Sequence, residues 1–467
     1  MEIYNNKNTQ PENTDSNYES NEPVVVALDI GTTKIVTIIG QKNKYGKIEI
    51  KGYANVPSKG VLRGAVANIK DATESIGRSI HEAATKCGAV VSEVVVGVAG
   101  QYIKSENHET SLTISNDEVT ESDIQKMIND VKLRVQTSGT IIISIIPQDF
   151  TIDTVHGITN PIGYCGKHIK GNFHVVSVNE SIIKNIKKCV ESNVFEGKNL
   201  EIQEYFLEPI ASAAAVLTDE QRESGVCLID IGGGTTDMAI YQNNIIRHSA
   251  VIPFGGNVIT QDIKEVCKIT EKQAEHLKIE KGYAFPSEEL RAKNIKLNFK
   301  TENLIDKLEQ SKTINAYTLS EVIYARLEEI IKFVDHQLEL SGYKEKLSSG
   351  IILTGGGSLL KGIQNVFMAN LGIETSVGIP NQHISTSIEE LKSPIYSTAI
   401  GLLILGFENL EQREIKNKVK NLNETTQQEI QKKQVEEIGK KRKGFLSNIS
   451  NIVGSLKDIF ETPPGNE

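Results

Sequence analysis

The chain has 467 residues, 39% of them hydrophobic and 24% charged, which is the balance of a folded protein with a sizeable core and not of a disordered or membrane-spanning chain. A formal charge of −9 and a pI near 5.7 argue against general nucleic-acid binding, which needs a basic excess. Length alone predicts roughly two to four domains.

Residues 1–22 carry almost no apolar side chains, so ordering them would cost backbone entropy with nothing buried in return, and a disordered tail is expected there. The same stretch lacks the basic and apolar pattern of a signal peptide, which predicts a cytoplasmic chain. At Pro23 the texture changes. Val24 to Ile30 reads as a buried strand ended by Gly31, and Lys34–Gly40 and Lys47–Tyr53 read as a hairpin turning at Lys44-Tyr45-Gly46. The grammar recurs at Val226–Ile231, Asp237–Tyr241 and Ile245–Ile252, with Gly232-Gly233-Gly234 after the first strand and a turn at Asn243-Asn244. The chain therefore reads as internally duplicated. Three- and four-residue apolar spacing predicts helices over 72–87, 123–135, 179–192, 258–266 and 321–340. Strands alternating with helices imply an α/β fold with largely parallel central pairing.

Five cysteines, Cys87, Cys165, Cys189, Cys227 and Cys267, lie far apart with no Cys-x-x-Cys pair and no histidine at ligand spacing. They are expected to be reduced thiols acting as small buried hydrophobes. The longest apolar stretch, Ala399–Phe407, is about half the length that crosses a bilayer.

Three glycine loops carry the chemistry. In Leu28–Lys34, Asp29 stands at the carboxyl end of a strand, where open α/β sheets bind ligands. Gly31 frees backbone N–H groups to approach a phosphate, Thr32 and Thr33 add hydroxyls, and Lys34 adds a charge. Asp29 would repel a bare phosphate and suits a hydrated Mg²⁺. The second loop repeats this logic with Asp230, Gly232, Gly233, Gly234, Thr235, Thr236 and Asp237. A third run, Gly355-Gly356-Gly357-Ser358, ends a strand and is expected to open a helix whose N-terminus offers amides to a nucleotide.

The order of these loops resembles the actin, Hsp70 and sugar-kinase superfamily, and the text from Val24 to Leu405 resembles the FtsA family of bacterial cell-division proteins. The segments Val94–Ile103, Asn116–Ile124, Ile145–Gly166 and Ile252–Ile263 carry that second likeness. The resemblance implies an actin-like ATPase fold of two duplicated halves, with ATP and Mg²⁺ in the cleft and any hydrolysis weak. It implies that Glu208, in Glu208–Ala213, and Asp230 position water, that Glu275 and Lys278 hold the ribose and base, and that Pro394–Leu403 is a second connector of small residues. The expected divisions are half I at 23–104 with 190–222 and about 390–408, and an inserted α+β module at 105–189. Half II then takes 223–266 and 326–389, with a small subdomain at 267–325. The partners implied are the tubulin-like division GTPase FtsZ, further copies of the chain, an anionic membrane surface and other division proteins, at the cytoplasmic face of the membrane and the division site. A pilus-assembly ATPase and a soluble sugar or acid kinase are the alternatives within the superfamily. Leu297–Ser311 departs from the expected family text.

After a polar linker at 409–439 comes one amphipathic segment, 440–462. At about 100° per residue, Phe445, Leu446, Ile449, Ile452, Val453, Leu456, Ile459 and Phe460 fall within roughly 140° of arc, behind the basic lead-in Lys440, Lys441, Arg442 and Lys443. Such a segment is expected to lie in a membrane interface.

Overall fold

Strand Val24–Ile30 is buried at every residue after Val24, so both of its faces must be covered, as in a doubly wound α/β sheet. The computed structural model describes residues 23–195, 197–299, 310–380, 384–386 and 388–418 and meets that requirement. The strand pairs antiparallel with Lys34–Lys42, which pairs antiparallel with Ile48–Pro57, and on its other edge it pairs parallel with Glu93–Val98, then Glu201–Leu207. Helix Ile69–Cys87 covers one face through Ala72, Ile76 and Ile80. It starts at Asn68, whose side chain accepts from the Asp71 N–H, and stops at Gly88, where φ is 66°. Residues 397–406 are helical and cover the other face, with Leu403 against Gly40 and Leu402 against Gly97.

The second sheet repeats this topology. Its order is Ile245–Ile252, Thr236–Gln242, Val226–Ile231, Ile351–Thr354, Thr375–Val377, with the first two pairings antiparallel and the last two parallel. The corresponding five strands of the first sheet have the same order and sense, which is the duplication that the repeated loops imply. Ile323, Leu327 and Ile331 of helix Ala316–Ser341 pack with Ile229, Ile240 and Leu353 in the core of this half.

A four-stranded antiparallel sheet is inserted between Glu93–Val98 and Glu201–Leu207, with the order Ile103–Thr113, His168–Asn179, Thr140–Ile152, Val155–Ile158. Helix Glu121–Val135 packs Met127 and Val131 with Phe150 and Phe173, after a capping box between Thr120 and Asp123. Helix Glu180–Glu191 sends Ile186, Cys189 and Val190 into the core of the first half. Where the module meets the second half the contacts are polar: Gln148 Nε2 donates to the Ile246 carbonyl at 2.8 Å, and Arg247 pairs with Asp149 at 2.5 Å.

The two halves are joined by helix Glu208–Val216 and helix 397–406, which cross so closely that a Cβ added at Gly401 would lie 1.7 Å from the Ala211 carbonyl oxygen. Only glycine at 401 allows so close an approach of the two backbones. Phe407–Glu467 forms a separate unit, described over 407–418, which are helical. No helix among the described residues is long and apolar enough to cross a membrane.

Two expectations are corrected. The glycine run at 355–357 opens a short 3-10 turn, Gly356–Leu359, and the α-helix Ile363–Leu371 begins only after Gly362, where φ is 81°. The five cysteines are free, but Cys165 is exposed and Cys87 only half-buried; Cys165 sits in the loop between Val155–Ile158 and His168–Asn179, which bonds to residues 117–119 through its backbone and leaves the side chain outward. The tail expected at 1–22, residues 300–309 of the divergent stretch, the linker beyond 418 and the amphipathic segment at 440–462 lie outside the described residues.

Candidate functional site

Equivalent strands of the two sheets end side by side, and each ends in an aspartate followed by a glycine loop. Asp29 and Asp230 are the penultimate residues of Val24–Ile30 and Val226–Ile231. The loops after them face each other across a cleft of about 310 Å³. A Cβ at Gly233 would meet Thr33 Oγ1 at 1.9 Å, and one at Gly234 would meet Thr32 Oγ1 at 2.4 Å. Only bare backbone on one loop lets the hydroxyls of the other approach this closely. Thr33 also reaches Asn257 Oδ1 at 3.4 Å, and the Asn257 N–H donates to the Gly233 carbonyl.

Five carboxylates line the cleft, Asp29, Glu208, Asp230 and Asp237 in one electrostatically linked group and Glu275 beside Lys278. Lys34 Nζ lies 3.1 Å from Asp29 Oδ2. Burial pushes Glu208 well above the usual carboxylate range, with the charges of Asp29, Asp237 and Asp230 adding to it. Burial likewise raises Asp230, against the hydrogen bond from Ser212. Asp237 is pushed up to about 8 by burial first and by Asp230 second, although the Thr235 hydroxyl donates to its Oδ2 at 2.9 Å. Its Oδ1 is buried with no hydrogen-bond partner among the described residues. A buried acceptor left unpaired costs about 1–3 kcal/mol.

This donor set fits a hydrated divalent cation. Acidic groups outnumber the single lysine beside them, and one buried oxygen awaits a donor. No three His, Cys, Asp or Glu side chains among the described residues converge to hold a metal ion directly.

Beside the second glycine loop, where the Gly256 N–H donates to the Gly232 carbonyl, Lys278 donates to Glu275 Oε2 at 2.8 Å, to Thr260 Oγ1 at 2.8 Å and to the Gly256 carbonyl at 3.0 Å. Glu275 also accepts from Thr260. Burial lowers the Lys278 pKa, against the nearby Glu275 charge. The pair is thus a knot tying helix Glu271–Lys281 to helix Gly256–Cys267 as well as a wall of the cleft. Leu359, Leu360 and Ile395 supply apolar lining.

Of the residues singled out in the sequence, Asp29, Gly31, Thr32, Thr33, Lys34, Glu208, Asp230, Gly232, Gly233, Gly234, Thr235, Asp237, Glu275, Lys278, Gly355, Gly356 and Gly357 line this cleft. Two do not. Thr236 is fully buried and donates to the Phe254 carbonyl at 2.8 Å, because strand pairing turns it away from the loop. Ser358 donates to the Gly355 carbonyl at 2.7 Å and closes the 3-10 turn. Sequence reasoning passed over Asn257, Gly256 and Thr398. The glycine pair Gly255-Gly256 after a strand is the signal that marks the first two; nothing local marks Thr398.

Two duplicated α/β halves joined by crossing helices, with paired Asp-Gly loops lining the cleft between them, define a protein of the actin-like class. Of solved structures, the PilM–PilN type IV pilus biogenesis complex is similar in fold, at TM-score 0.58 and 16% identity, covering 82% of this chain and 98% of that one. Residues 227–401 match the family model "Cell division protein FtsA" and residues 100–177 match "SHS2 domain inserted in FTSA". The chain is 33% identical over 385 residues to the cell division protein FtsA of Pseudomonas aeruginosa, covering 82% of this chain and 89% of that protein. It is 34% identical over 393 residues to that of Neisseria meningitidis (82% and 90%) and 30% identical over 394 residues to that of Escherichia coli K12 (83% and 91%). The chain belongs to the FtsA family of cell-division proteins, and the pilus-assembly and kinase alternatives are not favoured.

Proposed function

We propose that this cell-division protein binds ATP with Mg²⁺ in the cleft, assembles with copies of itself, and tethers the tubulin-like division GTPase FtsZ to the cytoplasmic face of the membrane at the division site. The observation that carries the nucleotide reading is the facing pair of loops, Gly31–Lys34 and Gly232–Thr235, beside an excess of buried carboxylates. Two loops that close on each other can hold one phosphate chain from both sides. Asp29, with Asp237 near it, would hold the hydrated ion through water, and Asp230 and Glu208 would position a water beside the phosphates. When bound, Mg²⁺ would supply the positive charge that phosphate oxygens and carboxylates share. Lys34 orients and neutralises the phosphates, Gly355 to Gly357 leave room for the adenosine, and Glu275 with Lys278 forms the wall against the ribose and base.

The membrane reading rests on segment 440–462. The four basic residues of its lead-in, Lys440 to Lys443, are worth on the order of 4 kcal/mol near an anionic surface. One tail then binds reversibly, and many tails joined in a filament bind durably, because each later attachment occurs at high effective concentration. Co-sedimentation with anionic vesicles, comparing the full chain with one ending at Gly439, tests this. The full chain should pellet, and more so with Mg-ATP; equal pelleting of both chains would remove the tether from the account.

A further inference from the structure

Asp230 Oδ2 accepts two hydroxyls, Ser212 Oγ at 2.6 Å and Thr398 Oγ1 at 3.1 Å, which also lie 3.1 Å from each other. Ser212 belongs to helix Glu208–Val216 and Thr398 to helix 397–406, one from each of the two helices that join the halves. These hydroxyls sit at the crossing, one residue from Ala211 and three from Gly401, where the backbones meet. All three groups are buried: Ser212 is 0%, Thr398 9% and Asp230 7% exposed. Packing does not require the hydroxyls. The neighbours of Ser212 are alanines, and a buried hydroxyl gains nothing over a methyl unless it is hydrogen-bonded. The other Asp230 oxygen, Oδ1, lies where a Cβ on Gly355 would be, 2.1 Å away, so the carboxylate is wedged between the crossing helices and the third glycine loop. A further bond, Thr354 Oγ1 to Ser397 Oγ at 2.6 Å, ties the same helix to the strand before that loop.

We propose that Ser212 and Thr398 are positioning residues that fasten the Asp230 carboxylate to the crossing of the connecting helices. Rotation of one half against the other and the binding of a cation-bearing phosphate chain beside Asp230 are thereby coupled. Both hydroxyls use one oxygen, so sliding either helix by about an ångström breaks a bond and frees the carboxylate to turn. Conversely, a ligand that fixes Asp230 fixes the crossing. This coupling rests on the nucleotide reading above.

The test uses the full chain and ATP, titrated calorimetrically with Mg²⁺ and with EDTA. Ser212→Ala and Thr398→Val should each weaken Mg-ATP binding on the order of tenfold, the loss of a hydrogen bond to a charged group. Binding in EDTA should not change, and Ser212→Thr and Thr398→Ser, which keep the hydroxyl, should restore most of the affinity. In an Asp230→Asn background, Ser212→Ala should cost no further affinity. Hydrogen exchange gives a second readout: Mg-ATP should slow exchange along both connecting helices in the wild type and much less in Thr398→Val. Variants that bind Mg-ATP as the wild type does, or that lose as much in the Asp230→Asn background as outside it, overturn the coupling alone. A wild-type chain that binds no ATP overturns the nucleotide reading and the coupling with it.

Discussion

Replacing Gly401 by alanine sets two effects of opposite sign against each other. Gly to Ala inside an exposed helix stabilises by up to about 1 kcal/mol, because glycine has the greater backbone freedom to lose. Here the added Cβ would lie 1.7 Å from the Ala211 carbonyl oxygen and 2.2 Å from its carbon, both backbone atoms that no rotamer change can move. The two helices would have to part by more than an ångström, and forcing extra volume into a packed seam costs about 1–3 kcal/mol or more. The clash should win, for a net loss of about 2 kcal/mol. At a urea slope of about 2 kcal/mol per M, the first unfolding midpoint should fall by roughly 1 M. Affinity for Mg-ATP should fall as well, since the seam carries Ser212 and Thr398. Urea unfolding followed by circular dichroism reads the first effect and calorimetry the second. A Gly401→Ala chain at least as stable as the wild type would refute the close crossing.

Other substitutions test the cleft itself. Gly233→Ala would place a Cβ 1.9 Å from Thr33 Oγ1 and should hold the loops apart; small-angle scattering should show a larger particle and titration a weaker ATP site, and neither changing would contradict the facing-loop geometry. Lys34→Met keeps the side-chain stem and removes the charge beside Asp29, so ATP affinity should fall on the order of tenfold or more; an unchanged constant would deny Lys34 its phosphate role. Asp237 is held at about 8 against an ordinary value of 3.8. The folded chain therefore keeps a proton that the unfolded chain has lost, and stability without ligand should fall as pH rises from about 4 to about 8, by up to about 1.4 kcal/mol per unit. Asp237→Asn should flatten that slope in urea titrations at pH 6 and pH 8, and an identical slope would assign the effect elsewhere. For the same reason Mg-ATP binding at pH 7 should release protons, seen as a dependence of the calorimetric enthalpy on buffer, and no such dependence would contradict the raised value.

The strands and the glycine loops that follow them are legible because their signals are local. An all-apolar run, an aspartate and a glycine within seven residues fix both the strand end and what can approach it, and this held at Asp29 and again at Asp230. The duplication was legible for the same reason. What was not legible depends on how distant segments meet. Thr236 and Ser358 carry the right chemistry, but strand pairing and a tight turn direct their hydroxyls inward. Thr398 and Ser212 sit in small-residue helices that read only as packing, and their use emerges when helices 186 residues apart in sequence cross at Asp230. Lys278 is singled out only by the family resemblance, and its bond to the Gly256 carbonyl, which helps bury it, has no local signal in the sequence. The run Gly355–Gly357 predicts a turn correctly and the helix after it too early, since Gly362 delays the α-helix to Ile363.

The most direct test of the account is a calorimetric titration of the full chain with ATP, with and without Mg²⁺, beside Asp29→Ala. One site per chain, strengthened by Mg²⁺ and lost in Asp29→Ala at low Mg²⁺, is the predicted result. Absence of binding, or an affinity that neither Mg²⁺ nor Asp29→Ala alters, would contradict the nucleotide cleft on which the account rests.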